Sequence, residues 1–197
     1  MTNYKEEYQH WLDSPALSEE EWKELNSISG DEKEIESRFF APLEFGTAGL
    51  RGTMYTGLHN MNIHVIRWAT QGFADVIAAE GEEGKRRGVA ICMDCRNNNM
   101  LFSHAAAEVC AANGIHVRIF ESLRPTPELS FAVRYYGCQA GINVPRARRG
   151  REHRCGASAR IPVYSSYRYS FQGDMYLFLV FHGLGGQQLV CLLQTGG

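Results

Sequence analysis

The spacing of apolar residues predicts helices at both the start and the middle of the chain. In the first forty residues, Ser18 followed by Glu21 is typical of a capping box, and an acidic start at Asp31 precedes a further helix. Between Asn62 and Glu80, apolar positions recur at helical spacing, which predicts a longer amphipathic helix. We therefore expect an N-terminal helical extension ahead of a main domain.

Three short apolar runs predict buried strands. They are GVAICM at 88–93, IHVRIF at 115–120 and AGINV at 140–144. Helical patterns separate them, so right-handed crossovers should join parallel strands. The predicted fold class is a three-layer α/β/α domain with a mostly parallel sheet. Ligands of such folds bind beyond the carboxyl ends of the strands, here after Met93, Phe120 and Val144.

Local signals set the expected ends of these elements. We expect Ser103 to cap the alanine-rich helix and Gly114 to end it. Thr126, followed by proline, should cap the next helix, which should stop at Gly137. The sequence GEEGKRRG at 81–88 is expected to be a charged loop.

Composition is that of an ordinary globular protein, with 44% hydrophobic and 21% charged residues. No apolar run is long enough to cross a membrane, and the polar, acidic start does not resemble a secretory signal, so we expect a cytoplasmic protein. The six cysteines are expected to be reduced thiols, and the Cys92 and Cys95 pair is interpreted as structural rather than redox-active.

Charge divides the chain after Val144. Up to that residue there are 13 Lys and Arg against 20 Asp and Glu, whereas beyond it there are 7 Arg against 2 acidic residues. A basic tail on an acidic body is a pattern often found in proteins that bind nucleic acids. The composition of this tail also permits the explanation that the tail is aberrant, which depends on what the preceding segments resemble.

The glycine-rich stretch FGTAGLRGTMYTG at 45–57 is the candidate phosphate-binding segment. Glycines such as Gly52 let backbone amides approach an anion, and Arg51 could hold a phosphate through two parallel hydrogen bonds. The alternative is a tight structural turn with an arginine on the surface. The stretch is neither a Walker loop nor a dinucleotide-binding fingerprint.

This segment resembles the opening signature of the phosphohexomutases, the family of phosphoglucomutases and phosphomannomutases. The downstream LHNMNIHVIRWATQGFADVI is similar to the branch that includes long-chain phosphoglucomutases and phosphopentomutases. MDCR at 93–96 is similar to the family's Asp-x-Arg segment, and LRPTPELSFAVRYYGCQAGINV at 123–144 resembles the approach to its active-site serine. The resemblance covers residues 1–144 in order.

The resemblance implies an intramolecular phosphotransferase, an isomerase that moves a phosphoryl group between two hydroxyls of a sugar through a phosphoserine. The implied ligands are a sugar phosphate and a sugar bisphosphate. The implied cofactor is Mg2+, held by the phosphoserine and by an acidic loop of a second domain, so no metal ligand is expected in this chain. By position, Arg51 matches the family arginine that faces the phosphoserine. Neither the particular sugar nor an oligomeric state is specified.

After Val144 the chain reads PRARRGREHRCGASARIP, where the family has a Thr-Ala-Ser-His-Asn-Pro loop. Loss of one base from codons for Thr-Ala-Ser would give the Pro-Arg-Ala found at 145–147, although Arg148 does not follow from the same shift. We therefore predict a helical extension at 1–40, a first phosphohexomutase domain at 41–144 truncated before the serine loop, and an aberrant, irregular tail at 145–197. The chain alone should be inactive as a mutase.

Two other interpretations of the tail stay open. Ser158 could be a displaced nucleophile, although it lies well past the strand end and no His-Asn pair follows it. Alternatively, the arginines and tyrosines of the tail could bind RNA or another polyanion. The absence of a recognised RNA-binding module and the apolar run YLFLVF at 176–181 argue against nucleic acid as a partner.

Overall fold

The described part of the chain alternates helices with short strands. A computed structural model describes residues 3–46, 49–50, 52–93, 99–144, 178–182 and 188–189. The helices are α1 (Tyr4–Leu12), α2 (Glu19–Ser27), α3 (Glu32–Phe39), α4 (Ile63–Ala79), α5 (Gly81–Arg87), α6 (Asn99–Ala112) and α7 (Thr126–Tyr135). The strands are β1 (Phe45–Gly46), β2 (Gly49–Leu50), β3 (Val89–Met93), β4 (Val117–Ile119), β5 (Ala140–Val144), β6 (Phe178–His182) and β7 (Gln188–Leu189).

A five-stranded sheet forms the centre, in the order β4-β3-β5-β6-β7. Strand β3 runs parallel to both β4 and β5, and Val89 is level with Val117 on one side and Ala140 on the other. Helix α6 connects β3 to β4, and α7 connects β4 to β5. The predicted order of three parallel strands with crossover helices is therefore confirmed.

Alternate residues of β3 face opposite layers of helices. Val89 and Ile91 are part of a buried cluster that includes residues of α4 and α6. Ala90 and Cys92 are part of a second cluster with residues of α7. All five residues of this strand are buried, as expected for a strand covered on both faces. The predicted three-layer α/β/α arrangement is confirmed.

Helix α7 lies very close to β5 because the strand presents a glycine to it. A Cβ added at Gly141 would lie 2.8 Å from Val133 Cγ2 and 3.1 Å from Leu129 Cδ1. Real Cβ atoms essentially never approach a neighbour to 2.8 Å, so a larger residue at this position would force Val133 or the helix that carries it to shift. The absent side chain therefore sets the spacing between α7 and the sheet.

The N-terminal helices form as their capping residues predict. Ser18 accepts from the Glu21 amide while the Glu21 carboxylate accepts from the Ser18 amide, which completes the predicted capping box. Asp31 caps α3 in a similar way by accepting from the Glu34 amide. The three helices share a small core in which the Tyr8 hydroxyl donates to the Leu25 carbonyl at 3.0 Å.

The prediction of a charged loop at 81–88 is wrong, because most of this segment forms α5. Its charges are arranged in the helical sense, with Glu82 and Glu83 in the first turn and basic residues in the last. Pairs three residues apart, Glu82 with Lys85 and Glu83 with Arg86, lie within 3.1 Å. Charge placement therefore favoured a helix where glycine content suggested a loop.

Two predicted helix caps are also wrong. Helix α6 begins at Asn99, one turn earlier than expected, so Ser103 lies inside it and is fully buried. The earlier start brings Phe102 into the core. Thr126 begins α7 but does not cap it with its side chain, because its hydroxyl accepts from the Asn143 amide instead. The predicted helix ends hold, with positive φ at Gly114 and Gly137.

The tail is less irregular than predicted, because two of its segments add strands to the sheet. Strand β6 pairs antiparallel with β5, where Ala140 is level with Phe181 and Asn143 with Phe178. Strand β7 then pairs with β6. The outer edge of β5 would otherwise leave its backbone groups without partners, and the apolar, aromatic run that includes β6 has high strand propensity.

Candidate functional site

The glycine-rich segment forms a short hairpin anchored in the core. Phe45 pairs with Leu50 and Gly46 pairs with Gly49, so residues 47–48 connect the two strands. Leu50 is 1% exposed and belongs to the main hydrophobic cluster. Arg51, the predicted phosphate-binding arginine, lies outside the described residues, but its two neighbours are placed. Its role therefore stays a prediction.

Gly52 follows in a position with little room for a side chain. A Cβ there would lie 3.1 Å from Leu43 Cδ2 and 3.2 Å from the Met61 amide nitrogen. These distances are tighter than nine in ten real Cβ contacts. A side chain here would need Leu43 or the Met61 backbone to move by a few tenths of an ångström, which gives a steric reason for a glycine, and the contact with phosphate stays a prediction.

Residues 52–62, which we call the 52–62 loop, close on themselves before α4 begins. The Thr53 hydroxyl donates to Asn60 Oδ1 at 2.7 Å, and the Met61 amide donates to the Thr53 carbonyl at 2.8 Å. Asn62 donates to the Gly57 carbonyl at 2.8 Å and accepts from the Val65 amide at 3.0 Å. A single side chain thus ties the loop and caps α4.

The same loop contacts the helical extension through Arg38 and Glu24, which the sequence analysis did not single out. Arg38 is 6% exposed, and Glu24 accepts from the Thr56 hydroxyl at 2.7 Å. The spacing of Glu34 and Arg38 by four residues was the available signal, but it is equally typical of a solvated helix surface.

One of the three segments beyond the carboxyl ends of the parallel strands is described. It is the segment after β4, where the Arg124 amide donates to the Met93 carbonyl at 2.9 Å and so crosses the end of β3. The Arg124 side chain is half exposed and lies 3.4 Å from Glu128. The segments at 94–98 and 145–177, including the weak nucleophile candidate Ser158, lie outside the described residues.

A row of polar groups lies beneath this edge of the sheet, and it runs from buried Cys92 and Asn143 to exposed Thr126. The Cys92 thiol donates to Asn143 Oδ1 at 3.1 Å, and Asn143 Nδ2 donates to Thr126 Oγ1 at 2.6 Å. Asn143 is 1% exposed. Because a buried amide needs hydrogen-bond partners, this row fixes β3, β5 and the start of α7 relative to one another. It therefore holds in place the end of β5, the strand after which the phosphohexomutases have their serine loop.

The remaining described side chains that could act as nucleophiles or bases lie where no reaction is supported. Ser103 is fully buried, its hydroxyl has no partner among the described residues, and the neighbouring His104 is exposed. Burial raises the pKa of the Cys110 thiol to about 12, and burial also raises that of Cys138 despite the nearby Arg118 guanidinium. A thiol with a raised pKa is a poor nucleophile, so neither cysteine is a catalytic candidate.

Within the described ranges, no group of three or more His, Cys, Asp and Glu side chains could hold a metal ion. Across the same ranges, none of the helices combines the length and the apolar character needed to cross a membrane.

Comparison with known proteins gives a consistent set of relatives. Residues 42–145 match the family described as phosphoglucomutase/phosphomannomutase, alpha/beta/alpha domain I. A phosphopentomutase from Pongo abelii is 35% identical over 141 residues, which is 68% of this chain and 23% of that protein. A phosphomannomutase from Mycoplasma genitalium is 30% identical over 148 residues, or 73% of this chain and 26% of that protein.

A phosphoglucomutase from Staphylococcus saprophyticus is 36% identical over 113 residues, which is 57% of this chain and 20% of that protein. The chain therefore spans about a quarter of the length of the curated relatives it matches. No solved structure gives a significant match.

Proposed function

We propose, since this chain belongs to the phosphoglucomutase/phosphomannomutase family, that residues 41–144 are the first domain of a sugar-phosphate mutase. The enzyme would transfer a phosphoryl group within a hexose or pentose phosphate, as the names of its relatives indicate for those proteins. The observation that carries this proposal is the family match, which ends at residue 145, directly after β5. In the proposal, residues 1–40 are an extension and residues 145–197 replace the serine loop with an aberrant tail.

The contribution we propose for this domain is to bind phosphate through Arg51 and Gly52. Leu50 is held in the core and Gly52 is wedged between Leu43 and Met61, which supports a fixed backbone on both sides of the arginine. A guanidinium on a fixed backbone can form two parallel hydrogen bonds to a phosphate, which gives orientation as well as charge neutralisation. Phosphoryl transfer depends on both effects.

The chain by itself should bind phosphate without completing the reaction. The sequence after Val144 has no Thr-Ala-Ser-His-Asn-Pro loop, so the nucleophile that such a mutase requires is missing from that position. Magnesium is implied by the family, and when bound it would neutralise phosphate charge. No step assigned to this chain depends on magnesium.

Titration of the purified 197-residue chain with glucose 1-phosphate, followed by calorimetry, tests the proposal. We expect binding of the wild-type chain, and an Arg51→Ala variant that binds at least about tenfold more weakly because a charged hydrogen bond is lost. Arg67→Ala is the matched control, since Arg67 is half exposed on α4 and forms an ion pair with Glu108 of α6. Its affinity should equal that of the wild type.

A coupled mutase assay on the same samples completes the test. We expect no turnover above the blank with any of the three proteins. Equal affinity of the Arg51→Ala and Arg67→Ala variants would contradict the phosphate-binding role, and measurable turnover by the wild-type chain would contradict the proposed inactivity.

A further inference from the structure

Arg38 is a buried arginine at the end of α3, and it lies between the helical extension and the 52–62 loop. Its Nη1 is 2.7 Å from Glu24 Oε1, and its Nη2 is 2.8 Å from Glu34 Oε1. Nε also donates to Glu34 Oε1 at 2.9 Å. A buried charge requires such partners, so both carboxylates fix the guanidinium in one orientation.

In this orientation the ion pair is also bonded to the loop. The Thr56 hydroxyl donates to Glu24 Oε2 at 2.7 Å, and the Thr56 amide donates to Glu24 Oε1 at 3.2 Å. Arg38 Nη1 donates to the Thr56 carbonyl at 3.4 Å. Thr56 is 3% exposed and Arg38 is buried, whereas the Glu24 side chain is 35% exposed, so these bonds are partly shielded from water and salt.

Other residues of the 52–62 loop also pack against Arg38. The guanidinium carbon lies 4.4 Å from the centre of the Tyr55 ring, within the range of a cation–π contact. Gly57 has φ +142°, and a Cβ there would lie 2.9 Å from Arg38 Cβ. The His59 amide donates to the Arg38 carbonyl at 2.8 Å. The side chain and backbone of Arg38 therefore lie against four residues of the loop, Tyr55, Thr56, Gly57 and His59.

The loop holds the chain next to Arg51. The Met61 amide nitrogen is the group against which Gly52 packs, and the Met61 amide also bonds to Thr53. A shift of the loop would therefore move the backbone at Gly52, the residue that follows Arg51.

We propose that Arg38, together with Glu24, is a positioning residue for the phosphate-binding segment, so that the helical extension is part of that site. The inference rests on the proposed function, because it requires that Arg51 and Gly52 bind phosphate. The ligand it concerns is the phosphate group of a sugar phosphate.

The first part of the test needs no ligand. In the full-length chain, Arg38→Met should speed hydrogen exchange of the Thr56 and Met61 amides by at least about tenfold, because the loop loses its anchor. The Val89 amide, which donates to His116 within the sheet, should keep its protection. Tyr8→Phe is the matched control: it removes a buried hydrogen bond from the same extension without touching the loop.

The second part measures affinity for glucose 1-phosphate. Arg38→Met should bind about tenfold more weakly than the wild type, whereas Tyr8→Phe should bind equally well even where its melting temperature falls by the same amount. Arg38→Lys should recover part of the affinity, since an ammonium can pair with Glu24 but cannot bond both carboxylates and the loop. Should Arg38→Met fail to fold, Thr56→Val removes the hydroxyl bond to Glu24 and leaves the ion pair in place.

Each result decides the matter. Unchanged exchange of the loop amides, or faster exchange with unchanged affinity, overturns the positioning role while Arg51→Ala still shows the phosphate role. If the wild-type chain does not bind, or Arg51→Ala binds as well as the wild type, the proposed function fails and this inference fails with it.

Discussion

At the scale of single residues, Gly88 leaves the least room for a side chain among the glycines that the structure describes. It has φ +69°, and an added Cβ would lie 1.9 Å from the His116 carbonyl oxygen. Its own carbonyl accepts from the Gln139 amide at 2.8 Å, so the backbone here touches the starts of both neighbouring strands. Neither strand can move away without breaking sheet hydrogen bonds.

We therefore expect Gly88→Ala to lower the free energy of unfolding by about 3 kcal/mol, from backbone strain and overpacking together. Gly72→Ala is the control, since Gly72 lies within α4 with no atom within 4 Å of the added Cβ. That change should raise stability by about 0.5–1 kcal/mol through higher helix propensity. Urea unfolding of both variants measures the difference, and similar values for the two would contradict this account.

At the scale of elements, the Glu21 carboxylate in the first turn of α2 contacts His64 of α4. Burial alone would raise the pKa of Glu21, but hydrogen bonds from the Ser18 amide and hydroxyl, and the nearby His64, leave it below the ordinary value of 4.5. Glu21 Oε1 lies 3.2 Å from His64 Nε2. A carboxyl with a lowered pKa stabilises the folded chain above its unfolded pKa, and this contribution is lost as the pH falls through the folded value.

Glu21→Gln should accordingly lower the melting temperature by about 1–3 °C at pH 6, a modest change because the group is partly exposed. The difference from the wild type should shrink as the pH falls from 4.5 towards 3. Glu20→Gln serves as the control in the same first turn of α2. Melting curves measured across this range check the sign, and a difference that grows on acidification would refute it.

Elements were predictable where a local signal agreed with the packing. The capping-box pattern at Ser18 predicted a helix start, and the apolar run at 89–93 predicted a buried strand. Both predictions are confirmed. Ser103 failed as a cap because burial of Phe102 extended α6 by a turn, which a propensity argument does not include. The loop prediction for residues 81–87 was wrong because Gly84 is buried against Ile77 and Glu80, a tertiary contact that composition does not indicate, and charge pairs at helical spacing add to it.

At the scale of the whole molecule, β6 changes the character of the sheet. A sheet ending at β5 would present an open edge, and the sequence pattern alone predicts no partner strand for it. The structure pairs β5 with a strand more than thirty residues further along the chain, running in the opposite direction. Such long-range pairing has no signature in local periodicity.

Removal of residues 145–197 should therefore promote self-association. We expect the 1–144 chain to form oligomers at concentrations where the full-length chain does not, because the edge of β5 is exposed. Full-length Leu179→Pro is the matched variant, since proline interrupts β6 opposite Ile142 and keeps the rest of the tail. Light scattering after size exclusion compares the three, and equal masses per chain would contradict the role of β6.

The candidate site could be predicted in part. The glycine-rich segment was identified from composition and resemblance, and the structure adds a steric reason for Gly52. Arg38 and Glu24 could not be identified, because their partner Thr56 lies 18 and 32 residues away along the chain. Contacts between a helix and a distant loop depend on tertiary packing, which one sequence does not specify.

The close approach of α7 to β5 has an evolutionary consequence. Gly141 leaves little space for a side chain, and the buried Asn143 is hydrogen-bonded to both Cys92 and Thr126. The face of β5 that lies against α7 should therefore accept very few substitutions as sequences diverge. On the opposite face, Ala140, Ile142 and Val144 lie in a broad apolar cluster, where compensating changes of size are available. Divergent relatives should thus differ along this strand at every second residue.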